Sequence, residues 1–178
     1  MDAIVNIQTR RSIRKFLPDA VPQADIEAIV TLASLAPSWG NTQCVRYVAI
    51  AGGEQKEKLV AAMNREGNKN SVAMAPVTFV LCAVLGKAGR LGGGANPKGE
   101  AWTYFDCGGA AQTLCLAAHA LGYGSVQIGA FDYDAVAQVI NLPQGMEVVE
   151  LISVGKPDVR PNQPPRLPLE ELLQMDGY

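Results

Sequence analysis

Three arginines and one serine lie within five residues near the start of the sequence, at Arg10, Arg11, Ser12 and Arg14. A guanidinium group is a fixed cation whose planar donors suit a phosphate, and a serine hydroxyl adds one compact donor. This combination is typical of a cradle for a single phosphate monoester. A solvated run of charges near a terminus explains the same residues equally well, so the segment alone leaves both interpretations open.

A second polar segment, residues 37–43, reads Pro-Ser-Trp-Gly-Asn-Thr-Gln and separates a predicted helix from a predicted strand. It offers one indole, two hydroxyls and two amides, a set of groups that can hydrogen-bond a flat heteroaromatic ring. Taken alone, the segment is better explained as a turn, because Ser and Asn side chains often bond their own backbone.

Several other chemistries are excluded by the residue types and their spacing. Gly122, Gly124 and Gly129 do not complete a dinucleotide fingerprint, because position 127 is Gln and the segment does not run from strand into helix. The only histidine, His119, lies among alanines, which favours a structural role and excludes a His-rich metal site. The four cysteines contain no C-x-x-C pair, which argues against a zinc site and a redox dithiol.

The composition is that of one globular domain spanning residues 1–178. Hydrophobic residues make up 48% and charged residues 18%, which supports a buried core. A net charge of -2 provides no global basic field for nucleic acid. The apolar runs are shorter than the roughly 20 residues of a membrane span, and no apolar leader precedes the first charges. We therefore expect a cytoplasmic protein that binds neither nucleic acid nor membrane and keeps its thiols reduced.

Helical and strand patterns alternate along the chain, as in α+β or mixed α/β domains. The helical patterns cover residues 22–36, 54–65, 100–121 and 133–140, and the strand patterns cover 45–50, 77–84, 125–128 and 148–154. A glycine-rich irregular stretch occupies residues 86–99. A proline-rich tail, residues 156–168, is predicted to run extended to a short final helix over 169–175. Small residues in the middle of the longest helix predict close packing in the core or against another subunit.

Five segments, in order along the chain, resemble the nitroreductase family of flavoproteins. They are R-R-S-I-R-K-F (10–16), A-P-S-W-G-N-T-Q (36–43), the central helix and turn ending in L-G-Y-G-S (110–125), Q-I-G-A-F-D (127–132), and V-G-K-P with the later P-P-R-L-P-L-E-E-L (154–172). The chain departs from the family where Cys44-Val45 replaces a common Pro-Trp step. Residues 68–71 match the family only loosely and are not assigned a role.

The resemblance implies an α+β three-layer sandwich with a central mixed sheet and an extended C-terminal arm. It implies a domain-exchanged homodimer with two FMN sites at the subunit interface. The implied reaction is a ping-pong transfer of hydride from NAD(P)H, through FMN, to a nitroaromatic, quinone or similar acceptor. No side chain is assigned as a catalytic acid or base, and no metal is expected.

The resemblance also implies a role for individual residues. Those expected to hold the phosphate and ribityl oxygens are Arg10, Arg11, Ser12, Arg14 and Arg166. Those expected to contact the flavin from the other subunit are Ser38, Trp39, Asn41 and Gln43. Ile128 and Gly129 are expected at the ring edge, and Trp102 and Tyr104 as an aromatic wall over the substrate.

Two alternatives stay open at this level. One is a different flavin enzyme on the same fold, such as a reductive dehalogenase or a flavin-fragmenting enzyme, which usually needs an additional lid. The other is a flavin-binding or sensing dimer without turnover. Neither the acceptor nor the choice between NADH and NADPH follows from the sequence.

Overall fold

The secondary structure comes from a computed structural model that describes residues 1–91 and 94–178. Seven α-helices, one short 3-10 helix (Trp39–Asn41) and six strands are found in these residues. The helices are α1 (Ala3–Thr9), α2 (Gln23–Ala33), α3 (Gly53–Ala61), α4 (Glu66–Met74), α5 (Ala101–Ala120), α6 (Tyr133–Val139) and α7 (Leu169–Leu172). The strands are β1 (Val45–Ile50), β2 (Val77–Val84), β3 (Arg90–Leu91), β4 (Gly94–Ala95), β5 (Gly124–Ile128) and β6 (Met146–Gly155).

The central sheet has four strands in the order β1-β2-β6-β5. Each of its three neighbouring pairs is antiparallel. The prediction of a mixed sheet is therefore wrong for the strands of one chain. Parallel pairing is limited here to an isolated bridge that joins Ser12 to Ser125 at the outer strand. This bridge lays the arginine-rich segment along β5.

Helices cover both faces of the sheet and produce three layers, because the side chains of a strand alternate between its two faces. On one face, Phe79 and Leu81 of β2 pack with α2 and α5. On the other face, Val80 and Cys82 pack with α3, α4 and α6. The continuously apolar sequence of β2 is explained by this position, since a central strand covered on both faces has no solvated side.

Helix α5 is the longest helix described, with 20 residues. Leu114 and Ala118 are fully buried against the sheet. On its outer side Phe105 is 71% exposed, and a Cβ atom placed at Gly108 or at Gly109 would meet no other atom within 4 Å. The packing within one chain therefore does not require glycine at either position, and the small-residue stripe is open to another surface.

Two helices are missed by the sequence patterns. Helix α1 has no buried residue, so it shows no apolar periodicity, although the Asp2 carboxylate caps it by accepting from the backbone of Ile4 and Val5. The predicted helix over 54–65 is shorter, because the chain leaves α3 after Ala61 and Met63 forms a bridge to Phe131. Helix α4 then follows as a separate element.

The tail is extended and exposed over residues 158–168, as predicted. Its final helix, α7, ends at Leu172 rather than at residue 175. Apolar side chains along the tail are open to solvent, including Val159, Leu167 and Leu169. The glycine-rich stretch holds the short β3–β4 pair, and Gly92 and Gly93 lie outside the described residues.

Candidate functional site

A cavity of about 290 Å³ lies where the end of α1, the start of β5 and the C-terminal tail meet. Its cationic lining comes from three arginines, Arg10 and Arg11 near the N-terminus and Arg160 in the tail. Ser125 and His119 complete the polar part of the lining. We call this the arginine cavity. Its charge and size suit a small anion.

Arg10 is half-buried in the arginine cavity. Within residues 1–91 and 94–178 its guanidinium makes no hydrogen bond or ion pair with another side chain or carbonyl. The hydroxyl of Ser125 is fully buried and lies beside the Cys115 thiol, whose pKa is raised by burial and lowered in part by a bond from Ser125. A partly desolvated cation is costly unless a ligand supplies an acceptor. Arg10 therefore fits a phosphate or a similar small anion.

Arg11 is positioned differently from Arg10. Its guanidinium donates to the backbone carbonyls of Gln8 and Arg10, both at 2.7 Å, and to Oε1 of Gln163, also at 2.7 Å. These bonds close the end of α1 and attach the tail to it. Arg11 thus shapes the arginine cavity and has fewer free donors for a ligand.

The tail arginine that lines the cavity is Arg160, which the sequence analysis does not select. Arg166, the predicted phosphate ligand, is exposed and donates to the carbonyls of Pro164 and Pro165 at 3.4 and 3.2 Å. It is absent from the cavity lining within the chain as described. The difference arises because the path of an extended tail depends on tertiary contacts, here the bond between Arg11 and Gln163.

His119 contacts Thr9, with 3.0 Å between Nε2 and Oγ1. Burial, followed by the positive charge of Arg160, lowers the pKa of His119 below 6.5. The shift favours the neutral ring, and the arginines supply the positive charge of the cavity. A structural role, favoured by the alanine neighbours of this histidine, agrees with its position.

Ser12 and Arg14 follow the arginine cavity along β5. Ile13 donates its backbone N–H to the carbonyl of Ser125 at 2.9 Å. A Cβ atom at Gly124 would lie 2.5 Å from the Ile13 side chain, so this close approach requires glycine. The contact places Ser12 beside the buried Ser125 and carries the chain toward the far end of β5.

Helix α4 braces the region around that end. The hydroxyl of Ser71 donates to the carbonyl of Arg14 at 3.1 Å, and Nδ2 of Asn68 donates to the carbonyl of Ala130 at 3.3 Å. Asn68 therefore lies beside the segment that contains Ile128 and Gly129. The sequence patterns did not predict this helix, and the loose family match over residues 68–71 carried no assigned role. We group the arginine cavity, Arg14 and the 128–130 segment, which follow one another along β5, as the β5 half-site.

The polar segment at residues 38–43 forms a tight turn. Gly40, Asn41 and Gln43 have positive φ angles of 55°, 53° and 49°. Asparagine adopts this left-handed backbone more readily than other residues with side chains, whereas for Gln43 it is strained by about 1–2 kcal/mol. The Ser38 hydroxyl accepts from the Gln43 backbone at 3.0 Å, and Gln43 Nε2 donates to Asn41 Oδ1 at 3.3 Å. We call residues 38–43 the turn half-site.

An aromatic cluster borders the turn half-site. The rings of Trp39 and Trp102 lie 6.3 Å apart, and Phe105 packs edge-on against Trp102 at 5.4 Å. Nε1 of Trp102 also donates to Asn96 in the glycine-rich stretch, at 3.0 Å. An apolar surface is therefore available beside the polar turn.

Tyr104 is not part of this cluster. Two residues that are two positions apart in a helix, such as Trp102 and Tyr104, lie about 200° from each other around the helix axis. Tyr104 instead lines a groove with Tyr133 and Glu147, and the neighbouring Glu147 carboxylate raises the pKa of Tyr104 to about 12. Within one chain the predicted wall is thus divided, and Phe105 stands where Tyr104 was expected.

The two half-sites lie at opposite ends of α5. Asp106 of α5 binds the backbone of Trp39 in the turn half-site, whereas His119 lines the arginine cavity. These helix residues are thirteen positions apart, or about 20 Å at 1.5 Å per residue. One chain therefore presents two separated sets of polar groups.

Other classes of site are not seen in the part of the chain that the structure describes. No three His, Cys, Asp or Glu side chains there form a group that could hold a metal ion. None of the described helices is both long and apolar enough to cross a membrane. The four cysteines are free and buried, and burial raises the pKa of Cys82 to about 11 and of Cys107 to about 12.

Comparison with known proteins shows which family this chain is similar to. The sequence model of the nitroreductase family matches residues 7–156, which include the N-terminal arginines and the turn half-site. A protein of Archaeoglobus fulgidus, whose name pairs NADH dehydrogenase with NAD(P)H nitroreductase, is 30% identical over 159 residues. That match covers 85% of this chain and 83% of the relative.

Two further proteins cover nearly the whole chain. A Bacillus subtilis protein named FMN reductase (NAD(P)H) is 27% identical over 188 residues, covering 99% of this chain and 74% of its own. The crystal structure of a nitroreductase family protein from Streptococcus pneumoniae matches with a TM-score of 0.86 at 22% identity. That match covers 98% of this chain and 100% of the other, so the two share the fold.

Proposed function

This chain belongs to the nitroreductase family, and on that premise we propose that it is an FMN-dependent oxidoreductase. It uses NAD(P)H as the hydride donor and passes the hydride to a nitroaromatic, a quinone or a similar acceptor, in a ping-pong cycle. The domain that does this spans residues 1–178. The names of the relatives support the general reaction, and the two half-sites support the binding of FMN.

The guanidinium of Arg10 is the observation that carries the proposal. It is half-buried in the arginine cavity and has no hydrogen-bond or ion-pair partner among the described residues. A phosphate monoester supplies acceptors for it, and charge-assisted bonds of this kind are the strong ones. The absence of a second phosphate cradle among the described residues favours FMN over a dinucleotide flavin.

The remaining residues of the β5 half-site fit the rest of the flavin. Ser12, beside Ser125, is placed to bond ribityl oxygens. The 128–130 segment, held by Asn68, offers backbone groups to the ring edge. The fixed charge of Arg14 adds positive potential beside that segment, which stabilises negative charge on a reduced ring.

FMN, when bound, supplies the hydride-accepting and hydride-donating chemistry that side chains lack. The chain binds FMN, orients it and excludes water from it. The polar groups of Ser38, Asn41 and Gln43 hydrogen-bond the ring from its other side, and the aromatic cluster gives a flat acceptor an apolar surface to stack on. Hydride transfer itself needs no protein acid or base, and none is assigned.

We further propose that the enzyme is a homodimer in which each flavin is shared. The half-sites are about 20 Å apart within one chain, and a two-fold axis near the middle of α5 would exchange its ends and bring each β5 half-site to the turn half-site of the second chain. The open stripe of Gly108 and Gly109 and the exposed apolar tail provide surfaces for that contact. Arg166, exposed in one chain, would meet the site through the tail.

The first test is the visible spectrum of the purified protein and the mass of any ligand released by acid. We expect a yellow protein that releases FMN and not FAD. Steady-state oxidation of NADH and of NADPH, each with a quinone and with a nitroaromatic, then measures turnover. A colourless protein that does not take up added FMN contradicts the proposal, and a yellow protein without turnover indicates a flavin-binding dimer instead.

A further inference from the structure

The Asp106 carboxylate joins the turn half-site to α5. It is 3% exposed, and both of its oxygens lie 3.0 Å from the backbone nitrogen of Trp39, which donates to them. The thiol of Cys44 donates to Oδ2 at 3.6 Å. Trp39 is near the start of the turn and Cys44 follows its end, so one carboxylate holds both sides of the turn.

The carboxylate and the turn depend on each other. Among the described residues, the hydrogen bonds to the Asp106 side chain come from Trp39 and Cys44. A buried carboxylate is costly unless donors of this kind surround it. Burial, followed by the charge of Asp106, raises the pKa of the Cys44 thiol, which keeps its proton available for donation.

The turn also has hydrogen bonds of its own. The backbone of Asn41 donates to Ser38 and that of Thr42 to Trp39, and the bonds from the Gln43 backbone to Ser38 and from the Gln43 amide to Asn41 are exposed to solvent. Exposed bonds of this kind add little to stability, and Asn41 and Gln43 both have positive φ angles. The bonds from Trp39 to Asp106 are part-buried and the bond from Cys44 is buried, so we expect the carboxylate to fix the turn against α5.

We propose that Asp106 is a positioning residue that holds the turn half-site in the conformation that contacts FMN. This inference rests on the proposed function. No contact with the flavin is assigned to Asp106. It acts through Trp39 and Cys44, and it couples the turn to α5, the same helix that carries the proposed subunit contact.

The experiment first examines the turn without any flavin. The chain has two tryptophans, so Trp102→Phe leaves Trp39, in the turn itself, as the only indole. In the apoprotein of this background, Asp106→Ala should shift the Trp39 emission to longer wavelength and increase its quenching by acrylamide. Asp106→Asn keeps one acceptor oxygen and should show a smaller change.

A matched control distinguishes an effect on the turn from an effect on the general stability of α5. Thr103 is fully buried on α5, and its hydroxyl donates to Glu100 at 3.0 Å and not to a residue of the turn. Thr103→Val removes this hydrogen bond and should lower the melting temperature without changing the Trp39 signal. If Asp106→Ala does not fold, Asp106→Asn is compared with the same Thr103→Val control.

The second measurement is the affinity of each apoprotein for FMN, by fluorescence titration with Trp102 restored. Loss of a hydrogen bond to a charged group predicts a 10- to 100-fold weaker affinity for Asp106→Ala, on the order of the values for such bonds. Asp106→Asn should lose less and Thr103→Val nothing. Unchanged Trp39 emission, or a loosened turn with unchanged FMN affinity, overturns the positioning role. Failure of the parent protein to bind FMN instead overturns the proposed function.

Discussion

Thr9 and His119, 110 residues apart in the sequence, are joined by a contact of 3.0 Å between Oγ1 and Nε2. The contact fastens the end of α1 to the last turn of α5. The arginines that follow Thr9 are thereby held next to the C-terminal end of a long helix, where the helix dipole favours cations. The cationic cavity is thus organised by the fold before any phosphate binds.

Arg10 and Arg11 should respond differently to truncation. Arg10→Ala removes a guanidinium that has no partner within the described chain, so FMN affinity should fall about 10- to 100-fold with little change in melting temperature. Arg11→Ala removes the bonds to Gln8, Arg10 and Gln163 and should lower the melting temperature as well. Flavin titration and thermal unfolding of both variants measure the difference. Unchanged affinity in Arg10→Ala would show that the arginine cavity is not the phosphate site.

Complementation between damaged subunits tests whether the flavin site is shared. One variant carries Ala at Arg10 and Arg14, and the other carries Ala at Ser38 and Asn41, each pair chosen to abolish FMN binding. In a heterodimer with shared sites, one flavin site contains all four substitutions and the other contains none. The purified, doubly tagged heterodimer should therefore hold about one flavin per dimer. If each site lay within one chain, the heterodimer would stay empty.

Gly109 provides a test of the subunit contact. Nothing lies within 4 Å of a Cβ placed at Gly109 or at Gly67, an exposed glycine of α4. Leucine is a better helix former than glycine by roughly 0.5–1 kcal/mol, so Gly67→Leu should be neutral or stabilising. Gly109→Leu should fold equally well but shift the protein to monomer and release FMN. Light scattering and flavin content measure both variants, and a flavin-loaded dimer of Gly109→Leu would refute the proposed contact.

Glu150, half-buried in β6, predicts a pH dependence of stability. Burial raises its pKa from 4.5 to about 7, so the folded state favours the protonated carboxyl. The protonated carboxyl therefore contributes its full stabilisation of the folded state below about pH 4.5, and this contribution is lost as the pH rises through about 7. A shift of this size corresponds to at most about 3 kcal/mol.

The variant Glu150→Gln cannot ionise and should abolish that loss. Urea unfolding should show the variant and the parent protein alike near about pH 4.5, and the variant more stable at about pH 8. The exposed Glu57→Gln is the control and should show no such difference. Equal stabilities of Glu150→Gln and the parent at both pH values would exclude an ionising buried Glu150.

Elements with strong apolar patterns could be predicted from the sequence. The strands β1 and β2 begin and end at the predicted residues. For β2 the reason is a continuous apolar run, typical of a strand covered on both faces, and β1 pairs with β2 along its whole length. Helices α1 and α4 could not, since α1 has no buried residue and α4 buries only Ser71 and Val72. A helix that buries little produces no periodic signal.

For the site, local segments were predictable and the contacts between them were not. Residues 10–14 and 38–43 carry their donors in short runs that can be recognised directly. Asp106 and Trp39 are 67 residues apart, and no local pattern links them. Arg160 was missed in favour of Arg166 for the same reason, because the course of an extended tail is decided by tertiary contacts.

Helix α5 also determines which changes in chain length the protein tolerates. One residue inserted between Asp106 and His119 would move the two half-sites apart by about 1.5 Å and rotate them by about 100° relative to each other. No change in the loops could restore both the spacing and the relative rotation of the half-sites in a symmetric dimer. We therefore expect length variation among related chains to fall in the tail and in the stretch between β2 and α5, while the thirteen-residue interval within α5 stays constant.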